Sequence, residues 1–157
     1  MPVINIEKAM VHLRVDEDTG DDVLDKLKSA EDKAARYLNR FFYATELDLS
    51  SAKSLIPNLI TTSNQNYRDS CDTANSISDY QSRSLMLSAA ENIKNEAACN
   101  LKMTLQGIVI NPSIEAAVLL ILGSLYENRE DETIASVSEL PKGALWLLDP
   151  YRLDWGV

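Results

Sequence analysis

Asn-Pro-Ser-Ile-Glu-Ala-Ala-Val-Leu-Leu-Ile-Leu-Gly-Ser-Leu-Tyr-Glu-Asn-Arg-Glu, residues Asn111 to Glu130, is the stretch whose reading decides the fold. Asn111 offers a side-chain oxygen to a first helical turn, Pro112 suits the first position, where an N–H would go unpaired anyway, and Glu115 complements the positive helix end. Ile114, Ala117, Val118, Ile121, Leu122 and Leu125 recur at i, i+3, i+4, i+7, i+8 and i+11, which lays one apolar stripe along a helix. The opposite side, with Ala116, Leu119, Leu120 and Gly123, is hardly more polar until Glu127. The spacing therefore predicts a helix covered on two sides, the second cover coming from this chain or from another copy.

Outward from that helix the period stays near 3.6 residues. Upstream, Gln81 to Gln106 predicts a helix with Met86, Ala89, Ala90, Ile93, Ala97 and Leu101 on one side, and Gly107 ends it. Asp22 to Arg40 predicts another, with Val23, Leu27, Ala30, Ala34, Tyr37 and Leu38 inward. Its outer face pairs Asp25 with Lys28 and Asp32 with Arg36. Asn5 to Leu13 is a short amphipathic helix. Residues 46–60 read as weakly helical, with Leu49, Ala52, Ile56 and Leu59 in phase and Pro57 bending or ending the segment. Thr61 to Asp79, rich in Ser, Thr, Asn and Asp, reads as a polar loop or frayed connection.

Downstream, Ile134 to Glu139 is a link. Pro141 opens and Pro150 closes a short helix whose apolar residues are Trp146, Leu147 and Leu148, and residues 151–157 form an extended tail carrying Leu153 and Trp155. No alternating run is long enough for a strand, and no Gly/Pro-rich linker divides the chain. The fold class is mainly α: a small bundle of four to five helices in a single domain, 1–157, with a polar connecting loop and an extended C-terminal tail.

The net charge of -9 repels nucleic-acid phosphate and anionic lipid. The N-terminus lacks a secretory pattern, and the apolar run from Ala116 to Leu122 is far short of the ~20 residues that cross a bilayer, so a cytosolic chain is expected. Cys71 and Cys99 have no metal or redox spacing. Asp16, Glu17, Asp18, Asp21 and Asp22 suggest a calcium loop, but counting from Asp16 puts Gly20 and Leu27 where an EF-hand needs an oxygen ligand and a Glu. Asp21 or Asp22 as a helix cap is the simpler reading. His12 is the only histidine and has no nucleophile nearby in sequence. With no phosphate loop, metal-type Cys/His pairing or carboxylate pair, no catalytic, cofactor-binding or metal-binding residue is expected, and the chain reads as not an enzyme. Arg129 falls toward the core stripe, so its guanidinium calls for carboxylates or helix-end carbonyls within reach, from this chain or a neighbour.

Asp21-Asp22 opening a helix, Gly107 to Asn111, the apolar helix ending in Leu125-Tyr126-Glu127-Asn128-Arg129-Glu130, then Leu140-Pro141 and finally Leu147-Leu148-Asp149-Pro150-Tyr151-Arg152 stand in an order that resembles the head-tail connector, or adaptor, proteins of tailed double-stranded DNA bacteriophages and their prophages. Residues 44–85 match poorly and read as a variable insertion. The resemblance makes Tyr126, Glu127, Asn128, Arg129, Glu130, Pro141, Pro150, Tyr151 and Arg152 the structural signature. It implies a virion protein without catalysis or cofactor, made in the bacterial cytoplasm and seated at the neck. There it forms a dodecameric ring of copies under the portal protein after genome packaging, extends the DNA channel and carries a tailward neck, stopper or tail protein. DNA would pass without specific binding, which an acidic wall favours because Lys and Arg contacts to phosphate create non-specific affinity; no membrane is involved.

A stopper or tail-completion protein of the same particle, or a soluble helical regulator of a host protein, are the alternatives. Within the connector reading, the Leu119, Leu120 and Gly123 side of the central helix packs inside the subunit. The Gln81–Gln106 helix, with the loop before it, meets the neighbour, and Tyr151, Arg152, Leu153 and Trp155 reach the portal or the adjoining copy. Removing the residues after Pro150 is then expected to leave a folded, soluble chain that no longer sediments with portal rings.

Overall fold

Asn111 caps as its position suggests: its Oδ1 accepts the N–H of Ile114 at 3.0 Å, and α5, Pro112–Glu127, follows. In the computed structural model, which describes residues 2–127 and 140–153, five more α-helices accompany it: α1 Ile6–Leu13, α2 Asp22–Leu38, α3 Glu46–Asn75, α4 Tyr80–Leu105 and α6 Lys142–Leu148. The mainly α class is observed. The chain divides into two compact units, Met1–Glu46 with Gly107–Val157, and Leu47–Gln106. The second takes in all of α4.

In the first unit α5 lies among α1, α2 and α6. Ile114, Ala117, Val118, Ile121 and Leu122 are buried, and Leu125 packs partly buried against the same cluster. Val23, Leu27, Ala30, Ala34 and Leu38 of α2 meet them, as the period predicted. Each fully buried Leu, Ile or Val contributes about 1.5–3 kcal/mol. Helices α2 and α5 are antiparallel. Lys26 in the early turns of α2 stands over the ring of Tyr126 at the end of α5, 5.2 Å from its centroid. At the other end, β1 Phe42–Tyr43, just after α2, pairs in parallel with β2 Ile108–Val109, just before α5. This two-residue ladder corrects the expectation of no strands; two residues are too few for alternation to be visible in sequence.

The other side of α5 is covered in part. An added Cβ at Gly123 would lie 3.8 Å from the His12 Nε2, and one at Gly143 of α6 would lie 3.5 Å from Leu120 Cδ1. Helix α1 is tied across by an ion pair between Lys8 and Glu115. The chain before α1 is held to α2 by the Glu31 carboxylate, which accepts the N–H groups of Val3 at 2.9 Å and Ile4 at 2.8 Å. Burial pushes the Glu31 carboxyl above its ordinary 4.5, and those two hydrogen bonds oppose the shift.

The acidic loop supplies the cap of α2, but not from the expected residue. Asp21 and Asp22 were the sequence candidates; Asp21 makes no side-chain cap bond. Asp18 reaches over the 3-10 turn Thr19–Asp21 and accepts the N–H groups of Val23 at 2.9 Å and Leu24 at 3.1 Å. Gly20 and Asp21 take positive φ, 75° and 58°, and fold the loop back far enough for that reach. Asp22 instead pairs with Lys26, and the predicted Asp25–Lys28 and Asp32–Arg36 pairs form.

The second unit is a helical hairpin. Of the bend or end expected at Pro57, the end does not occur, and Thr61–Asp79 is not the polar loop or frayed connection expected there: α3 continues to Asn75 and only Ser76–Asp79 turn. Pro57 lacks an N–H and crowds the carbonyl four residues back, but the following hydroxyls stay within the helix. Thr61 Oγ1 donates to the Pro57 carbonyl at 3.0 Å, and Ser70 and Thr73 donate to Asn66 and Asp69 at 2.8 Å. The side toward α4 keeps its period with small residues, Ser63, Ser70 and Ala74, and with Tyr67, over whose ring Lys94 of α4 stands at 4.2 Å. Asp79 caps α4 by accepting the Ser82 N–H at 2.7 Å, and its bonds to Ser82 hold its carboxyl below the usual aspartate range. On the side of α4 that carries the apolar period, Met86 and Ile93 are exposed, whereas Ala90 is buried. Replacing Asp18 with Ala is expected to lower stability by about 1–2 kcal/mol in urea unfolding, whereas Asp21→Ala changes it by less than about 0.5 kcal/mol.

Candidate partner-binding surface

Among the described residues no group of three or more His, Cys, Asp and Glu is placed to hold a metal ion, and no described helix is long and apolar enough to cross a membrane. Side chains that form surfaces are what the first unit offers; of the described signature residues, Tyr126 meets the early turns of α2, and Tyr151 and Arg152 lie at its C-terminal end.

At the C-terminal end of α2 the chain after α6 is fastened down. Asp149–Tyr151 form a 3-10 turn, in place of the start of an extended tail expected at Tyr151. The Tyr37 hydroxyl donates to Asp149 Oδ1, and that bond holds the phenol proton above the usual tyrosine range. The Arg152 guanidinium lies 4.7 Å from the centroid of the Tyr37 ring, a cation–π contact. The Asn39 side chain donates to the Leu153 carbonyl at 2.8 Å, and the Leu153 N–H donates to the Leu38 carbonyl at 3.2 Å. Arg40 Nη1 donates to the Tyr151 carbonyl at 3.4 Å, and the Tyr151 ring packs against the core. Tyr151, Arg152 and Leu153, named for partner contact, thus hold the chain to its own α2.

At the N-terminal end of α2, about 16 Å away along eleven residues of helix, Lys26 covers Tyr126. Glu127 is exposed, and Pro141 stands at the N-cap of α6. Asn128, Arg129 and Glu130, the link 134–139, and Trp155 lie outside the described residues.

Of the apolar residues read on α6, Trp146 points to solvent with 78% of its surface exposed, and Leu148 fills the core together with Ala144. A short helix presents one face inward, and here the buried pair at i and i+4 sets it. Leu120, 40% exposed, sits beside Gly143, which precedes Trp146 by one turn of α6; the exposed side chains of Leu120 and Trp146 are the candidate contact surface. An exposed Trp is a residue type enriched among the anchors of protein–protein contacts. Sequence reading missed it because Trp146, Leu147 and Leu148 are consecutive, and only the packed helix shows which of them faces out. It also missed Asp149, whose partner lies far back in the chain.

No family model, curated protein or solved structure matches this chain. Replacing Tyr37 with Phe is expected to cost less than about 1 kcal/mol, because the bond to Asp149 is solvent-exposed. Limited proteolysis of that variant, read by mass spectrometry, should show faster cleavage after Arg152.

Proposed function

We propose that the protein is a structural subunit of the bacteriophage neck, a head-tail connector or adaptor. In this reading copies form a ring beneath the portal, continue the DNA channel and present a platform to a neck, stopper or tail protein. The observation that carries it is the residue order from Asp21-Asp22 through Tyr126-Glu127-Asn128-Arg129-Glu130 to Pro150-Tyr151-Arg152. Two features support it. Tyr126, Tyr151 and Arg152 of that signature help to hold one small helical core together, as residues specifying a shared subunit shape should. That core also leaves Trp146 open to solvent.

The ring reading assigns Trp146 and Leu120 to a neighbouring copy or to the portal. It assigns the ties at Tyr151 and Leu153 to keeping the chain in place up to the residues that reach outward. Truncation after Leu153 therefore separates partner contact from folding better than truncation after Pro150, which removes the ties to Asn39 and Leu38.

Mixing the purified chain with portal rings of the phage that encodes it should give an added ring of density in electron micrographs. Trp146→Ala should leave the unfolding midpoint unchanged, since the side chain is exposed. It should weaken portal binding or ring formation by about 30-fold, the effect of losing a 2 kcal/mol anchor. A wild-type chain that ignores the portal would overturn the reading and favour a regulator of a host protein.

A further inference from the structure

The α3–α4 hairpin is long for what it buries. Among its apolar side chains only Leu49, Ala74, Ala90 and Met103 are buried, while Leu55, Leu59, Ile60, Leu85 and Ile93 lie open. Between the helices runs a furrow with a volume of about 360 Å³, floored by Leu59, Tyr67, Ile93, Ala97 and Leu101. It continues toward the turn past Thr73, Met86 and Ala89. A furrow between two helices is shaped for a third, and its lining of apolar, small and hydroxyl side chains suits a helix face of similar character.

Charge points to what that helix belongs to. The unit Leu47–Gln106 holds six acids and five bases, so nearly all of the chain's net charge of -9 lies elsewhere. Like copies that repel through the rest of the chain meet little repulsion here. The hairpin is also polarised along its length. Its turn-ward part, 62–91, carries Arg68, Asp69, Asp72, Asp79, Arg83 and Glu91, an excess of acid, whereas Lys53, Lys94 and Lys102 outnumber Asp48 and Glu96 in the remainder. Two hairpins laid head to foot set acidic end against basic end twice. A face about 39 Å long, from the 26 residues of α4, and two helices or roughly 20 Å wide offers close to 800 Å² per side, the size of a standard interface.

We propose that the furrow is a docking site for the same hairpin of a second copy, the two running antiparallel about a two-fold axis near Ile93 and Ala97. A two-fold pair cannot sit within a ring whose copies all point one way. Pairing therefore belongs to the free subunit and stands or falls apart from the connector reading.

Light scattering on the eluting full-length chain at tens of micromolar is the test. The mass of two 17.5 kDa chains is expected. A monomer overturns the pair in favour of a foreign helix as occupant, and a ring-sized mass overturns it while supporting the connector. Ile93→Asp, which brings two carboxylates together near the axis at an already exposed position, and Ala97→Asp as a second disruption should each give monomers with unchanged circular dichroism. Leu85→Asp, 73% exposed but outside the furrow, should remain paired; the reverse pattern overturns the site. With Cys71 and Cys99 changed to Ser, Ala97→Cys should form a disulfide with its copy on oxidation and Thr73→Cys, near the turn, should not. A disulfide at position 73 would overturn the antiparallel arrangement.

Discussion

Helix α5 has too little polar surface to stand at the edge of anything, and the first unit is the solution to that constraint. Its stripe from Ile114 to Leu122 is sealed by α2, and α1 and α6 cover parts of the remaining circumference. A helix apolar nearly all round must be enclosed, and the enclosing helices are themselves amphipathic, so each needs α5 as much as it needs them. The exposed remainder, Ala116 and Leu120, marks where three short helices run out of surface to offer.

Helix α2 is the second organising element. Polar ties from distant parts of the chain end on it: the backbone before α1 on Glu31, the end of α5 on Lys26, and the segment after α6 on Tyr37, Asn39 and Arg40. Each is worth little alone, since surface pairs and exposed hydrogen bonds contribute at most about 1 kcal/mol. Their value is positional. They fix where three chain segments lie against a core whose apolar contacts are less particular about direction.

The sequence made the first unit largely legible because its helices carry large apolar residues at helical spacing: the inward faces of α2 and α5 and the Asn111 cap are as read. It was misleading where small or polar residues keep the period. Ser63, Ser70 and Ala74 continue the inner face of α3, but on a hydrophobic scale the serines resemble a loop, and serine hydroxyls can bond within a helix as readily as within a turn. Met86 and Ile93 share the apolar side of α4 and are exposed, because periodicity reports a stripe without saying whether anything covers it. Asp18 escaped notice because its reach depends on two left-handed residues, Gly20 and Asp21. Trp146 and the Tyr37–Asp149 bond needed tertiary packing to be seen at all.

The parallel pairing of Phe42–Tyr43 with Ile108–Val109 brings together the points where the chain leaves the first unit and returns to it. Neighbouring strands run about 5 Å apart, so whatever is strung between them begins and ends at nearly one spot. The loop-closure entropy of such an excursion rises only slowly with its length. A gate of this kind lets an arm be lengthened, trimmed or exchanged over evolutionary time while the helices around α5 keep their register, which gives a subunit of fixed shape one region free to diversify.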